Sequence, residues 1–290
     1  MKNKDIFTFR DAEKQAGPVA FSTMLKPAGS ACNLDCHYCY YLDKAVQYGG
    51  KQAVMSDELL ELYVKQYIGA NDVDTVQFCW HGGEPLLLGV DFYRRAMAFQ
   101  QKYADGKRIE NTLQTNGTLV DEAWCDLFAG NNFLVGISLD GPQDIHDTFR
   151  LTKGGKPTFE RVMQTISMFQ RSGVEYNTLS VVNRLCEGRG GEIYRFFRDT
   201  VHSRYMQFLP AVEHVVDKPG FHRPLIVSPE REGARLAEWS VTAGGYGQFL
   251  CDVFDEWVVS DVGRCYVQMF DATLAQWCGV QPGVCSMGET

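Results

Sequence analysis

Three cysteines near the start of the chain, Cys32, Cys36 and Cys39, stand in a C-x3-C-x2-C spacing followed by an aromatic residue, Tyr40. Thiolates so close in sequence can converge on one small inorganic core. Iron–sulfur clusters are held by cysteine thiolates, ordinarily four to a cubane. A trio leaves one iron without a protein ligand, and an open position suits a site that must bind something, as it does in catalytic zinc centres. Two plainer readings stand beside this one. The loop holds free thiols, or it holds zinc with His37 as a fourth ligand.

The elements that must position these cysteines are legible around them. Val19–Leu25 is rich in strand-forming residues and stops before Pro27, which cannot continue a ladder. The cysteines therefore follow the C-terminal end of a first strand, the edge at which parallel α/β folds build ligand sites. Ser56, followed by two acids, caps a helix running to about Ile68. Strands are expected at 75–80, 108–114, 133–139, 175–182 and 205–212, and helices at 91–103, 121–129, 159–171 and 192–201. About six strands alternating with five helices predict a parallel sheet. Residues 213–229, with three prolines, read as a connecting segment, and 246–259 and 265–277 as further helical elements. Cys79, Cys125, Cys186 and Cys251 fall on these elements and are expected to be buried, inert thiols.

Further motifs sit at strand ends. Gly82-Gly83-Glu84-Pro85 closes the second strand. Its glycines permit close backbone approach to a ligand, and the Glu84 carboxylate can accept from an ammonium group. Thr115-Asn116-Gly117 closes the third strand and Ser138-Leu139-Asp140-Gly141 the fourth, with Arg150 twelve residues after Ser138. Each has a plainer reading as turn chemistry or an exposed arginine. His81, just before the two glycines, is either a contact of the site or a satisfied structural residue.

With 290 residues, 45% of them hydrophobic, the chain can bury a large core, and its net charge of −8 favours neither nucleic acid nor anionic membrane as a partner. No apolar leader and no membrane-length apolar run is visible. Ten cysteines without such a leader point to a reducing compartment, hence the cytoplasm.

The cysteine loop and its aromatic residue resemble the radical S-adenosylmethionine (SAM) superfamily. The resemblance implies a [4Fe-4S] cluster on Cys32, Cys36 and Cys39, with SAM on the fourth iron, and a 5′-deoxyadenosyl radical that abstracts hydrogen. It implies a partial (β/α)6 barrel over about residues 19–212, after an N-terminal arm at 1–18 and before a C-terminal extension at 213–290. In similar enzymes the residues matching Gly82, Gly83 and Glu84 meet the amino group of SAM, and those matching Ser138 and Arg150 meet its ribose and carboxylate. Leu209 and Tyr38 would pack on the adenine.

The linked segments Met24-Leu25-Lys26-Pro27, the cysteine loop, WHGGEPLL, QTNGTL and SLDGPQDIHDTFR resemble, more narrowly, the anaerobic sulfatase-maturating enzymes. That likeness implies oxidation of a cysteine or serine in a nascent sulfatase peptide to Cα-formylglycine, with an electron donor such as flavodoxin or ferredoxin. Members carry a C-terminal (SPASM) domain with two auxiliary [4Fe-4S] clusters and a catalytic Asp. Only Cys285 lines up with an auxiliary ligand, so the base is expected beyond Thr290, and Asp271 is expected to be a structural or surface residue. Two other readings share these residues: a thioether-forming peptide maturase, and an iron–sulfur or zinc protein without SAM chemistry. The paired motifs at 82–84 and at Ser138 and Arg150 argue against the last, since an electron carrier needs neither.

Overall fold

The structure, a computed structural model, describes Arg10, residues 20–41, Lys44, residues 54–217, residues 224–281 and Val284. Cys285 and Val19 lie outside the described residues. The chain alternates between strands and helices: β1 (Met24–Leu25), α1 (Asp57–Ala70), β2 (Thr75–Trp80), α2 (Val90–Tyr103), β3 (Arg108–Thr115), α3 (Glu122–Gly130), β4 (Leu134–Ser138), α4 (Gln143–Phe149), α5 (Phe159–Ser172), β5 (Glu175–Val182), α6 (Gly190–Arg195) and β6 (Tyr205–Pro210). A three-stranded antiparallel ribbon follows, from β7 (His214–Val216), β8 (Leu225–Val227) and β9 (Arg235–Leu236). Then come α7 (Ala243–Ser260), β10 (Tyr266–Val267) and α8 (Gln268–Trp277).

The main sheet has seven parallel strands in the order β1-β2-β3-β4-β5-β6-β10. Spatial order follows chain order, so each crossover returns to the next position and its helix falls on the same face. That is the arrangement of a barrel and not of a doubly wound sheet, whose order reverses at a switch point. The result is a partial barrel with β1 and β10 at its two ends.

Side-chain alternation explains the curl. Along β3 and β5 every second residue near the C-terminal half is buried, and the intervening ones are half-buried. The helix-facing set is largely apolar: Val76, Phe78 and Trp80 of β2 pack with Leu60, Val64 and Ile68 of α1, and Val135 and Ile137 of β4 join the same core. The opposite set holds Gln77, Cys79, Thr112, Gln114, Ser138, Asn177 and Gln207. A face this polar cannot be a second core, so it lines a lumen. Caps follow the sequence signals: Ser56 accepts from the Leu59 amide and Asp121 from the Trp124 amide.

Two expectations change. A seventh strand, β10, extends the sheet where a helix was expected to start at Cys265, and two strands of a ribbon, β7 and β8, lie in the segment read as a connection. Cys125 and Cys186 are buried as expected, whereas Cys251 is exposed on α7 and Cys79 is half-buried on the lumen face.

One polar knot crosses the helix-facing core. Asn111 Oδ1 accepts from Trp80 Nε1 (2.8 Å) and Gln100 Nε2 (2.9 Å), while its Nδ2 donates to Gln100 Oε1 (2.9 Å). Asn111→Leu strands two buried donors and an acceptor, and each costs about 1–3 kcal/mol when unpaired. Urea unfolding should show a loss of at least ~2 kcal/mol. An unchanged midpoint would mean that the knot contributes nothing.

Candidate functional site

The cysteine loop leaves the C-terminal end of β1 and is held on three sides. On the first, the turn after β2 reads it by backbone alone: the His81 amide donates to Leu25 O (2.8 Å), Gly83 to Gly29 O (3.0 Å) and Glu84 to Ala31 O (2.7 Å). A Cβ on Gly83 would run into the carbonyl oxygens of Ala31 and Ser30, and Gly82 sits at φ 129° with Gly29 O 2.8 Å from where its Cβ would be. The glycines therefore admit the protein's own loop.

On the second side, the segment after α4 pairs with the loop as an antiparallel bridge, Leu34 opposite Thr152. The Asp35 amide donates to Leu151 O (2.8 Å) and His37 to Phe149 O (3.1 Å). On the third, the turn after β3 engages Asn33. Asn116 Nδ2 donates to Asn33 Oδ1 (2.9 Å), and Asn33 Nδ2 donates to Thr118 Oγ1 (2.8 Å). Cys32 Sγ accepts from the Leu34 amide (3.4 Å) and from Asn116 Nδ2 (3.7 Å).

The three thiols are neighbours: each of Cys32 and Cys39 raises the Cys36 pKa. Burial pushes Cys36 up to about 12, partly offset by Arg150, and Cys32 up to about 11, so an empty loop stores thiols. A positive metal core would deprotonate them. Among the described residues no three His, Cys, Asp or Glu side chains converge as on a single ion. Three cysteines without a fourth protein ligand fit an iron–sulfur cluster with one open iron. Buried polar atoms without a hydrogen-bond partner also gather here: Tyr41 Oη, Arg150 Nε and Trp239 Nε1. Trp239 packs on the small core made by Leu34, Cys36, Tyr38 and Phe149. Unmet donors at the rim of a thiol trio fit a polar cofactor held beside a cluster.

The other expected site residues fall into two groups. Ser138 and Leu209 end β4 and β6 on the lumen face. Ser138 Oγ accepts from Gln114 Nε2 (3.1 Å), and Leu209 is 43% exposed next to the buried, helix-facing Phe208. Glu84, Arg150 and Tyr38 each bond to other residues of the protein. Glu84 is fully buried, and its carboxylate accepts from Thr115 Oγ1 (2.8 Å) and the amides of Asn116 (2.8 Å) and Leu86 (3.1 Å). It pins the ends of β2 and β3 together instead of presenting a free oxygen. Arg150 Nη2 pairs with Asp140 Oδ1 at 2.9 Å, with both side chains buried. Tyr38 donates its hydroxyl to Asp140 Oδ2, lies beneath the Arg150 guanidinium (5.6 Å to the ring centre) and tilts against Phe149. Its ring is largely covered, by Arg150 and Phe149 among others.

Asp140 and His146 were missed as site residues. Asp140 Oδ1 also accepts from the Val181 amide (3.1 Å). His146 Nδ1 accepts from the Asp140 amide (3.4 Å), and burial lowers its pKa to about 4. Its Nε2 lies 3.0 Å from Thr158 Oγ1, which donates to Arg150 O (2.7 Å). The signal available was an acid and an arginine flanking one short helix. His81 Nδ1 accepts from the Gly82 amide (2.7 Å), and burial lowers its pKa, so the neutral ring keeps its proton on Nε2.

Gly83→Ala should destabilise the chain by at least ~2 kcal/mol, because the obstruction is backbone and cannot swing aside. It should also lower the iron bound on reconstitution, and wild-type iron content in that variant would separate the turn from the loop. Burial raises the Glu84 pKa to about 7, against its hydrogen bonds. The folded carboxyl then keeps its proton through a window, from near 4.5 up to about 7, in which the unfolded one loses it. Stability falls as pH rises through that window, on the order of 3 kcal/mol. Subtracting the pH–stability profile of apo Glu84→Gln from that of the apo wild type isolates this slope from the opposing one of His146. A flat difference would refute the burial account.

Comparison with known proteins agrees with this geometry. The family profile described as the Radical SAM superfamily matches residues 27–186. A serine-type anaerobic sulfatase-maturating enzyme of Bacteroides thetaiotaomicron is 47% identical over 267 residues, 92% of this chain and 64% of the relative. A cysteine-type enzyme of Clostridium novyi is 36% identical over 272 residues, 92% of this chain and 68% of the relative. The solved structure of anSMEcpe with AdoMet and the Cp18Cys peptide bound superposes with a TM-score of 0.77 at 31% identity, over 91% of this chain and 67% of that one. The chain thus spans about two thirds of the length of these relatives. A thiol trio held by backbone at the C-terminal edge of a partial barrel, with relatives of this kind along nearly its whole length, places the chain in the radical SAM superfamily, among the anaerobic sulfatase-maturating enzymes.

Proposed function

We propose that this chain is the SAM-binding core of an enzyme that oxidises a serine or cysteine in a sulfatase peptide to Cα-formylglycine. The observation that carries the proposal is the trio of neighbouring thiols, Cys36 buried and Cys32 and Cys39 half-buried, with the unpartnered Arg150 Nε and Trp239 Nε1 beside it. Cys32, Cys36 and Cys39 hold the [4Fe-4S] cluster. When bound, the cluster and SAM supply a 5′-deoxyadenosyl radical able to take a Cβ hydrogen from the peptide.

The chain's own residues hold that chemistry in place. Arg150 offers its unpartnered Nε toward the carboxylate of SAM while its other face balances Asp140. Ser138 offers a hydroxyl and Leu209 an apolar wall on the lumen face. Gly82 and Gly83 keep the turn against the cysteine loop, so the backbone beside Glu84 borders the cofactor. Glu84 and Tyr38 act as positioning residues. The peptide substrate is suggested by the peptide bound to the solved relative. An auxiliary-cluster domain carrying the base, and a flavodoxin- or ferredoxin-type donor, belong to the whole protein in this reading. Among the described residues no helix is long and apolar enough to cross a membrane.

Anaerobic reconstitution followed by reduction with SAM and a serine or cysteine peptide tests the proposal. Mass spectrometry should find 5′-deoxyadenosine and the mass change of an alcohol or thiol becoming an aldehyde. Cys36→Ala should lose the visible iron–sulfur absorbance and all SAM cleavage, and SAM cleavage retained in that variant would overturn the assignment of the trio. A fully loaded chain that cleaves SAM and leaves the peptide intact would place the oxidation in the auxiliary-cluster domain, and the same result with the whole protein would overturn peptide oxidation.

A further inference from the structure

Trp239 stands outside every motif of the sequence, yet its indole Nε1 is a buried polar atom with no hydrogen-bond partner in the protein. The residue lies shortly after β9, where the ribbon returns to the barrel. Its backbone is firmly held there. The Trp239 carbonyl accepts from the Arg184 amide (2.9 Å), just past β5. The next residue is tied twice more, as the Glu213 amide donates to Ser240 Oγ (3.0 Å) and Arg184 Nε to Ser240 O (3.0 Å). The Val241 amide then donates to Ala211 O (2.9 Å), just past β6. These bonds fix the indole at the C-terminal ends of β5 and β6, the edge of the barrel that carries the cysteines.

The surroundings of the ring say what kind of acceptor it lacks. It packs on the small core of Leu34, Cys36, Tyr38 and Phe149, against which Val181 of β5 also packs. Val181 is half-buried between the buried Ser180 and Val182, so it belongs to the lumen face, and it pairs in register with Leu209 of β6 on the same face. Cys32 and Cys39 border this core as well, but Nε1 bonds to none of the thiols. A buried donor left unpaired costs about 1–3 kcal/mol. An indole N–H can only donate, so what satisfies it is an acceptor from outside the chain. Two aliphatic side chains abreast, with one neutral donor at their margin, describe the seat of a flat heteroaromatic ring. The other unmet donor on this side, Arg150 Nε, carries charge and suits a carboxylate, whereas the neutral indole suits a neutral acceptor.

We propose that Trp239 donates its indole N–H to a ring nitrogen of the adenine of SAM. The proposal rests on the reading of the thiol trio as a SAM site. Trp239 is then a cofactor-binding residue supplied from beyond β6, and the ribbon's return to the barrel is what sets it in place.

Anaerobic calorimetric titration of the reconstituted, oxidised chain tests this, because SAM binds there without being cleaved. The probes are SAM and its deaza analogues, each with one acceptor nitrogen of the adenine, N1, N3 or N7, replaced by C–H. Trp239→Phe keeps an aromatic ring and removes the donor. It should weaken SAM roughly 5- to 10-fold, the share of one hydrogen bond. Iron content and the melt followed by circular dichroism should match the wild type. One analogue should bind Trp239→Phe and wild type alike, since it lacks the acceptor, while the others lose affinity in the variant as SAM does. Unchanged SAM affinity in Trp239→Phe, or an equal loss for SAM and every analogue, would overturn the proposal. A shifted reduction potential of the SAM-free cluster with SAM affinity intact would assign the N–H to a cluster sulfur and overturn it as well. The wild type alone carries a further test: analogues that all bind as tightly as SAM would overturn the contact even if the variant failed to fold. A wild type with a full cluster that binds no SAM would instead overturn the reading on which the proposal rests.

Discussion

The site depends on a contact that only glycine permits. The turn after β2 lies directly on the backbone of residues 29–31, where carbonyl oxygens occupy the space a Cβ of Gly83 would need. Through this contact a loop without regular structure inherits the rigidity of the sheet, and three thiols become neighbours before any metal arrives. Glu84 extends the constraint by tying that turn to the end of β3, and Asn116 passes it back to the loop through Asn33. Three consecutive strands thus converge on the cysteines through backbone and side-chain hydrogen bonds.

A second constraint is electrostatic. Asp140 and Arg150 are both buried, and a buried pair is justified only when geometry and additional hydrogen bonds offset the loss of hydration. Here Asp140 accepts from Tyr38, the Val181 amide and Arg150, which accounts for both oxygens. Arg150 is left with one unmet donor, Nε, beside the thiols. The pair also explains why Tyr38 is covered: its hydroxyl completes the shell of Asp140. The fixed positive charge partly offsets the burial of Cys36, so one arginine serves both the fold and the donor set.

Much of this was legible in the chain itself. Strong periodicity placed α1, α2, α5 and β2, β3, β5 within a residue or two, because alternation and caps are local signals. The cysteine spacing pointed to a cluster because ligand spacing is local as well. What the sequence hid was long-range. β10 is two residues long and exists as a strand only because β6 is beside it. Glu84 and Tyr38 were singled out by motif, and the protein groups they also bond lie far along the chain, Thr115 31 residues from Glu84 and Asp140 102 residues from Tyr38, beyond any local window.

The central claim is that the loop presents a cluster with an open iron to SAM. Electron paramagnetic resonance of the reduced, reconstituted chain, with and without SAM, measures this most directly. A [4Fe-4S] signal whose g-values shift when SAM is added is the predicted result, since the ligand would enter the iron's own coordination. A cluster signal indifferent to saturating SAM, or a chain that binds zinc in place of iron, would contradict the account.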